Sequence, residues 1–173
     1  RSQIHDRANV RFCYPHLPHS TFHIPHSYWR SHKIISDLKR DNIALYHGLS
    51  GELPVGISRS GIPSVVTIHD LIFLRHPEYY HFIDRQIYAW KFRRTVREAT
   101  HIIAISECTR RDILHYAPDV DPARISVIYQ SCAPKFTQTS TINTQLSTLN
   151  SYRYILNVGT IEARKNVLLA VKA

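Results

Sequence analysis

The sequence is poor in the features that mark several common protein classes. Its 173 residues include three cysteines, five glycines and no methionine. The cysteines are widely spaced and form no CxxC pair, which argues against a disulfide framework and favours a reducing compartment. No apolar run approaches the roughly 20 residues that a membrane span needs. The polar first residues also lack the apolar core of a signal peptide.

Motifs for several kinds of ligand site are missing as well. The chain contains neither GxGxxG nor a Walker sequence, so dinucleotide and P-loop chemistry have no support. No carboxylates cluster in a way that would hold a divalent metal. Five histidines between positions 16 and 32 suggest a metal site, but Pro15, Pro18 and Pro25 interrupt any helix that would align them. We therefore favour a surface loop for this segment.

Positive charge is what the sequence has in excess. The formal net charge is +9, which attracts polyanions, anionic lipid head groups or phosphorylated ligands. The basic residues form no continuous tract and no nucleic-acid motif is visible, so nucleic acid is not an expected partner. Helical spacing places four of them on the polar face of one segment, which fits either a solvated face or contact with an anionic membrane surface. These four are Lys91, Arg93, Arg94 and Arg97.

The stretch 64–74, SVVTIHDLIFL, contains the leading functional candidate. Its β-branched start is typical of a strand buried on both faces of a parallel sheet. His69 and Asp70 follow directly, at the carboxyl end where open α/β sheets bind ligands. A second interpretation remains open, in which the His69 imidazole bonds to nearby backbone and Asp70 starts a turn.

Other strands and helices alternate with this one. Ser106 follows an apolar run and is expected to cap a helix that continues through Tyr116, although its hydroxyl also suits ligand binding. Such alternation predicts an α/β fold with a doubly wound parallel sheet and right-handed crossovers. The additional predicted strands are 43–46, 101–105, 125–129 and 154–158.

Composition also suggests how the chain divides. Between positions 135 and 151 the residues are mainly Thr, Ser, Asn and Gln with scattered apolar side chains, which is linker composition. We predict a first domain over 1–134, a linker over 135–152 and the beginning of a second domain over 153–173. A single βα unit cannot bury both its faces, so the second domain is expected to be incomplete.

Five segments together resemble the glycosyltransferases of family four, which are retaining enzymes of the GT-B fold. The likeness extends over most of the chain from about Tyr28, and it is greatest to bacterial mannosyltransferase members that assemble surface polysaccharide. It implies a Rossmann-like N-terminal, acceptor-side domain without its first unit, followed by the first βα unit of a Rossmann-like donor-binding domain. The segments are YHGLSGELP (46–54), SVVTIHDL (64–71), REATHIIAISECTRRDI (97–113), ARISVIYQSC (123–132) and YILNVGTIEARKN (154–166).

The resemblance also implies roles for individual residues. His69 matches the histidine expected beside the transferred sugar, and it is the predicted catalytic residue. Fixed cations and backbone N–H groups suit the charge that develops on a diphosphate leaving group. Where many relatives have Arg after the glycine, this chain has Thr160, and the neighbouring Arg164 is expected to compensate. The implied donor-binding residues are Ser106, Gly159, Arg164 and Lys165, and the implied acceptor or cleft-loop residues are Gly48, Glu52 and Asp70.

The function implied is transfer of a hexose, with mannose favoured, from a GDP- or UDP-linked sugar to a saccharide or lipid-linked acceptor. No metal or other cofactor is expected, and the location is cytoplasmic, peripheral at the inner face of the plasma membrane. In the family, a glycine-rich loop would precede Arg1 and paired glutamates would follow Ala173. We therefore expect a truncated chain that is inactive by itself. The alternatives are a non-catalytic basic module that binds membrane or nucleic acid, and a GT-B sugar epimerase.

Overall fold

The computed structural model describes residues 28–132 and 157–172. It contains two units, Arg1–Tyr129 and Gln130–Ala173, which are treated separately below. The histidine-rich segment up to position 26, the predicted linker and most of the predicted strand 154–158 lie outside the described residues. Asn157 and Val158, the last two residues of that predicted strand, are not in a strand.

A parallel sheet of four strands forms the first unit. The strands are β1 (Tyr46–Gly48), β2 (Ser64–Ile68), β3 (His101–Ala104) and β4 (Ile125–Val127), and they lie side by side in that order. The described helices are α1 (Ile34–Arg40), which a π-helical turn precedes at Trp29–Lys33, then α2 (Ile72–Arg75), α3 (Phe82–Glu98), α4 (Glu107–Tyr116) and, in the second unit, α5 (Val167–Lys172). The predicted Rossmann-like α/β fold is confirmed.

The core lies on one face of this sheet. Each strand pairs with the next in the same direction, so right-handed crossovers bring α3 and α4 to the same face. Val66 and Ile102 are register partners on that face, and both are fully buried. Phe92 of α3 and Ile113 of α4 belong to the same buried cluster. The two crossover helices therefore close one continuous core.

The opposite face of the sheet is more polar than the sequence predicts. Val65 and Thr67 are only half-buried, so the expectation that β2 is buried on both faces is wrong. His47 Nε2 lies 2.9 Å from the Thr67 hydroxyl, and a matching pair joins His101 to Ser126 on the other two strands, also at 2.9 Å. Only one face of the sheet is buried, because both crossover helices pack on that face.

The start of β1 also differs from the prediction. The apolar run 43–46 suggests a strand from Ile43, but the strand begins at Tyr46. Asn42 has a left-handed backbone with φ of 51°, and the Ile43 N–H donates to the Leu38 carbonyl over 3.0 Å. This geometry is a helix C-cap, which satisfies the last carbonyls of α1. The first residues of the apolar run consequently terminate a helix instead of extending the sheet.

We predict that two adjacent isoleucines of β3 differ sharply in their contribution to stability. Ile102→Ala should lower the free energy of unfolding by roughly 2–5 kcal/mol, because it leaves a cavity in the closed core. Ile103→Ala is the matched control on the half-buried face, and it should cost clearly less. Urea denaturation followed by circular dichroism measures both values. Equal losses would contradict the one-sided core.

Candidate functional site

The loop after β1 folds back over the end of β2. The Gly51 N–H donates to the Thr67 carbonyl over 3.0 Å, and the Leu49 carbonyl accepts a 2.9 Å hydrogen bond from the ring of His69. The turn is possible because residue 48 is glycine. A Cβ at this position would overlap the backbone oxygen of Glu52. Gly48 therefore contributes by having no side chain, which leaves room for the loop to close on itself.

His69 lies at the carboxyl end of β2, as the sequence predicts, and its side chain is exposed. Because a carbonyl oxygen can only accept, the bond to Leu49 requires a proton on Nε2 of the imidazole. The Asp70 carboxylate accepts from the Ile72 N–H over 3.2 Å and so starts the turn into α2. The hydrogen bonds expected if His69 and Asp70 had only a structural role are thus present. Solvent or a ligand can nevertheless reach both side chains.

A chain of hydrogen bonds joins His69 to α4. Ser106 caps this helix, as predicted, by accepting from the Thr109 N–H over 3.1 Å. The Thr109 hydroxyl donates to the His69 carbonyl over 3.1 Å, so the Ser106 hydroxyl, 3.0 Å away, must donate to Thr109. Thr109 is almost fully buried, which raises the cost of leaving these groups unpaired. Sequence reasoning missed it, because a threonine inside a helix carries no signal of such a role.

A cavity of about 370 Å³ opens beside His69. Three of the predicted residues, Glu52, His69 and Asp70, line it. Its other walls include an aromatic cluster in which the rings meet edge to face, with centroids 5.7–6.4 Å apart. The sequence does not predict this cluster, because helical spacing suggests that Tyr88 faces the core. The clustered residues are Phe73, Tyr80 and Tyr88.

Four of the five basic residues of α3 fall into two pairs. Lys91 lines the cavity and forms a 2.8 Å ion pair with Glu52, and Arg94 donates to the Leu53 carbonyl over 2.6 Å. Both side chains are therefore bound to the loop after β1. Arg93 and Arg97 are exposed. The four residues predicted to form one polar face thus have different surroundings.

The second unit contains three of the residues expected to bind the donor diphosphate, Gly159, Arg164 and Lys165. Lys165 Nζ donates to the Thr160 hydroxyl over 2.9 Å, and Arg164 forms a 2.6 Å ion pair with Glu162. A Cβ added to Gly159 would lie 3.4 Å from Lys165 Nζ. The Thr160 hydrogen bond, helped by Arg164, lowers the pKa of the Glu162 carboxyl. The carboxylate therefore stays charged and holds this small turn together.

The described residues contain neither a group of metal ligands nor a helix that could span a membrane. Over 28–132 and 157–172, no three side chains of the His, Cys, Asp and Glu types meet in an arrangement that would hold a metal ion. Within the same ranges, every helix is too short or too polar to cross a bilayer. The prediction that the activity needs no metal remains a prediction.

The structure is an α/β domain with a cavity at the carboxyl end of a parallel strand, the place where open sheets of this class bind ligands. The sequence model of Glycosyltransferase Family 4 matches residues 2–132, and the chain belongs to this family. Its function is of the glycosyltransferase type, which in general acts on a nucleotide sugar and an acceptor. Comparison with curated proteins gave no match.

We predict that the hydroxyl of Thr109 stabilises the site. Thr109→Val keeps the shape but leaves the His69 carbonyl and the Ser106 hydroxyl without this partner, which should cost about 1–3 kcal/mol of unfolding free energy. Thr109→Ser retains the hydroxyl and should cost less. Urea denaturation of both variants provides the test. A valine variant at least as stable as the serine variant would contradict the hydrogen-bond chain.

Proposed function

We propose that this glycosyltransferase moves a hexose, with mannose as the first candidate, from a GDP- or UDP-linked donor to a saccharide or lipid-linked acceptor. The observation that carries the proposal is the position of His69. It lies at the end of β2, on the wall of a cavity with aromatic and charged sides. This is where an α/β sheet of this kind binds its ligand.

The cavity suits an acceptor sugar. The rings of Tyr80 and Tyr88 offer apolar surface to the C–H faces of a pyranose. Glu52 and Lys91 stand as an ion pair at the same cavity and supply an acceptor and donors for hydroxyl groups. Such a mixture of apolar surface and a few polar groups is typical of small-molecule sites. We therefore assign the acceptor to this cavity.

His69 is proposed to orient the transferred sugar. The bonds from its ring to Leu49 and from Thr109 to its carbonyl restrict both side chain and backbone. A group held in this way can meet its substrate without reorganisation, which is a main source of catalytic power. In a retaining transfer, it would position the sugar as it stands, or donate its Nε2 proton to the sugar in place of the Leu49 carbonyl, and it would not serve as a general base.

In the second unit, the donor diphosphate is proposed to bind Gly159, Arg164 and Lys165. Arg supplies a forked pair of donors and Lys a point charge, and together they offset the negative charge on the leaving diphosphate. Glu162 and Thr160 now hold the two cations, so the diphosphate would have to replace these partners. With two such cations, we propose that no metal is required.

The basic face of α3 fits an enzyme of surface polysaccharide synthesis that works in the cytoplasm, against the inner face of the plasma membrane. Lys91, Arg93, Arg94 and Arg97 would bring positive charge close to anionic lipid, where a lipid-linked acceptor is held. Two of them are bound to the loop after β1, so the exposed Arg93 and Arg97 would contribute most.

A transfer assay tests the role of His69. The protein, expressed from its complete reading frame, is incubated with labelled nucleotide sugars and candidate acceptors. His69→Ala should lower kcat/KM on the order of a hundredfold or more. His115→Ala, the same substitution on an exposed side chain of α4, should leave it unchanged. Unimpaired transfer by the His69 variant would refute this role, and an epimerised free sugar as product would identify an epimerase instead.

A neighbouring pair of tyrosines tests the acceptor cavity. Tyr80 lines the cavity and the preceding Tyr79 does not, although both are tyrosines of the same segment. Tyr80→Ala should raise the KM for the acceptor roughly fivefold, as expected for a stacking contact of about 1 kcal/mol, and leave the KM for the nucleotide sugar unchanged. Tyr79→Ala should change neither constant. If Tyr80→Ala raised only the donor KM, the cavity would be a donor site.

A further inference from the structure

Helix α3 is apolar on two opposite sides. One side carries Phe92 and Val96, which are buried in the core. The other carries Ile83, Ile87 and Trp90, whose side chains are 71%, 46% and 58% exposed. The intervals of four and three residues put these side chains in one row along the helix. A second apolar row on a helix whose first row already packs on its own sheet is unusual.

The same row becomes basic toward the end of α3. Arg94 and Arg97 continue it at intervals of four and three residues, and the exposed Arg93 lies beside them. The Arg94 guanidinium lies over the ring of Trp90, 5.0 Å from its centroid. Together with Gln86, the three arginines and Trp90 line a concavity of about 500 Å³. We call this surface, from Ile83 to Arg97, the outer face of α3.

We propose that the outer face of α3 docks on an anionic phospholipid bilayer. Ile83 and Ile87 would enter the boundary between head groups and acyl chains, and the Trp90 indole would lie at head-group level, where tryptophan is enriched. Arg93 and Arg97 would contact lipid phosphates. The proposal deepens the membrane contact of the proposed function, which considered the basic residues alone, by assigning an apolar part that enters the lipid.

Charge favours a bilayer over a second copy of the chain. A symmetric dimer places the same patch on both sides of its interface. Parallel helices would bring the arginines of the two outer faces together, and antiparallel helices would put them against isoleucines, so neither arrangement gives the arginines an acidic partner. Asp84 lies off the row by helical spacing, and Glu98, four residues after Arg94, is half-buried at the end of the helix. The exposed charge at this end is therefore that of Arg93 and Arg97. A polyanion such as RNA would match the arginines but would leave the isoleucines without a partner. An anionic bilayer offers both phosphates and hydrocarbon.

The outer face also lies next to the proposed acceptor cavity. Tyr88 and Lys91 line that cavity and are sequence neighbours of Ile87 and Trp90 on the same helix. A helix docked in this way would hold the cavity near the membrane surface, where a lipid-linked acceptor begins. This consequence rests on the proposed function, whereas the docking itself does not.

Partition of the 173-residue protein onto vesicles tests the proposal. Sedimentation with phosphatidylcholine vesicles, with and without phosphatidylglycerol, should show binding that depends on the anionic lipid. The chain has two tryptophans, so Trp29→Phe leaves Trp90 as the sole reporter. Its emission should shift to shorter wavelength with anionic vesicles, and brominated acyl chains should quench it. No sedimentation with anionic vesicles, or an unshifted Trp90, would overturn the proposal.

Matched variants distinguish the contribution of the outer face to vesicle binding from the effects of net charge and of general hydrophobicity. Arg93→Gln with Arg97→Gln should weaken partition roughly thirtyfold. Arg59→Gln with Arg111→Gln removes two exposed charges elsewhere and should change it little. Ile83→Ser with Ile87→Ser should weaken partition on the order of tenfold, and Ile43→Ser with Leu45→Ser is its control at two other exposed apolar side chains. Equal losses in a variant pair and its control would overturn the proposal.

Two further outcomes bear on other occupants. A dimer that Trp90→Ser dissociates, without vesicle binding, would make the outer face a protein interface and overturn the proposal. So would tight binding of single-stranded RNA that the isoleucine variants leave intact while anionic vesicles fail to bind. Vesicle binding is measured without any sugar transfer. A negative result in the His69 transfer assay would therefore not change the conclusion from vesicle binding. Likewise, a failure to bind vesicles would not change the conclusion from the transfer assay.

Discussion

The candidate site depends on the close approach of the Glu52 carbonyl to Gly48. Only a residue without a Cβ lets the loop after β1 turn this tightly. Gly51 then donates to Thr67, and the Leu49 carbonyl meets the His69 ring. With the loop held at these points, the Glu52 side chain reaches Lys91 on α3 and forms the charged side of the cavity.

His69 is held by connections that follow both strands next to β2. The loop after β1 bonds to its ring, and Thr109, in the helix after β3, bonds to its carbonyl. Parallel strands make this possible, because the connections leaving neighbouring strands begin at the same edge of the sheet. Ser106 belongs to the same network. Its hydroxyl already donates to Thr109, so a diphosphate oxygen would have to replace that partner if Ser106 also took its predicted role at the donor.

Helix α3 faces three environments at once. Phe92 and Val96 pack in the core, Tyr88 and Lys91 line the cavity, and Trp90 belongs to the outer face. A 17-residue helix is long enough to present all three sets along its length. In the proposed enzyme, this helix links the stability of the sheet to acceptor binding and to the membrane. The basic residues contribute unequally, because Lys91 and Arg94 are bound to the loop after β1.

The sequence by itself determined the features that depend on chain neighbours. β2 and β3, the long helix α3, the cap at Ser106 and the position of His69 after β2 all follow from local spacing and capping chemistry. The family-four likeness was readable for the same reason, since it lies in short contiguous motifs.

Only the tertiary structure decided which distant residues meet. Thr109 reaches His69, Lys91 reaches Glu52 and Arg94 reaches Leu53 across 39 to 41 positions of sequence. The burial of one sheet face and the exposure of the outer face of α3 likewise depend on where the crossovers pass. Periodicity shows that a helix has an apolar side, but it does not show which of two such sides meets the sheet. That choice follows from the packing of the whole domain, in which burying one set of side chains leaves the other in solvent.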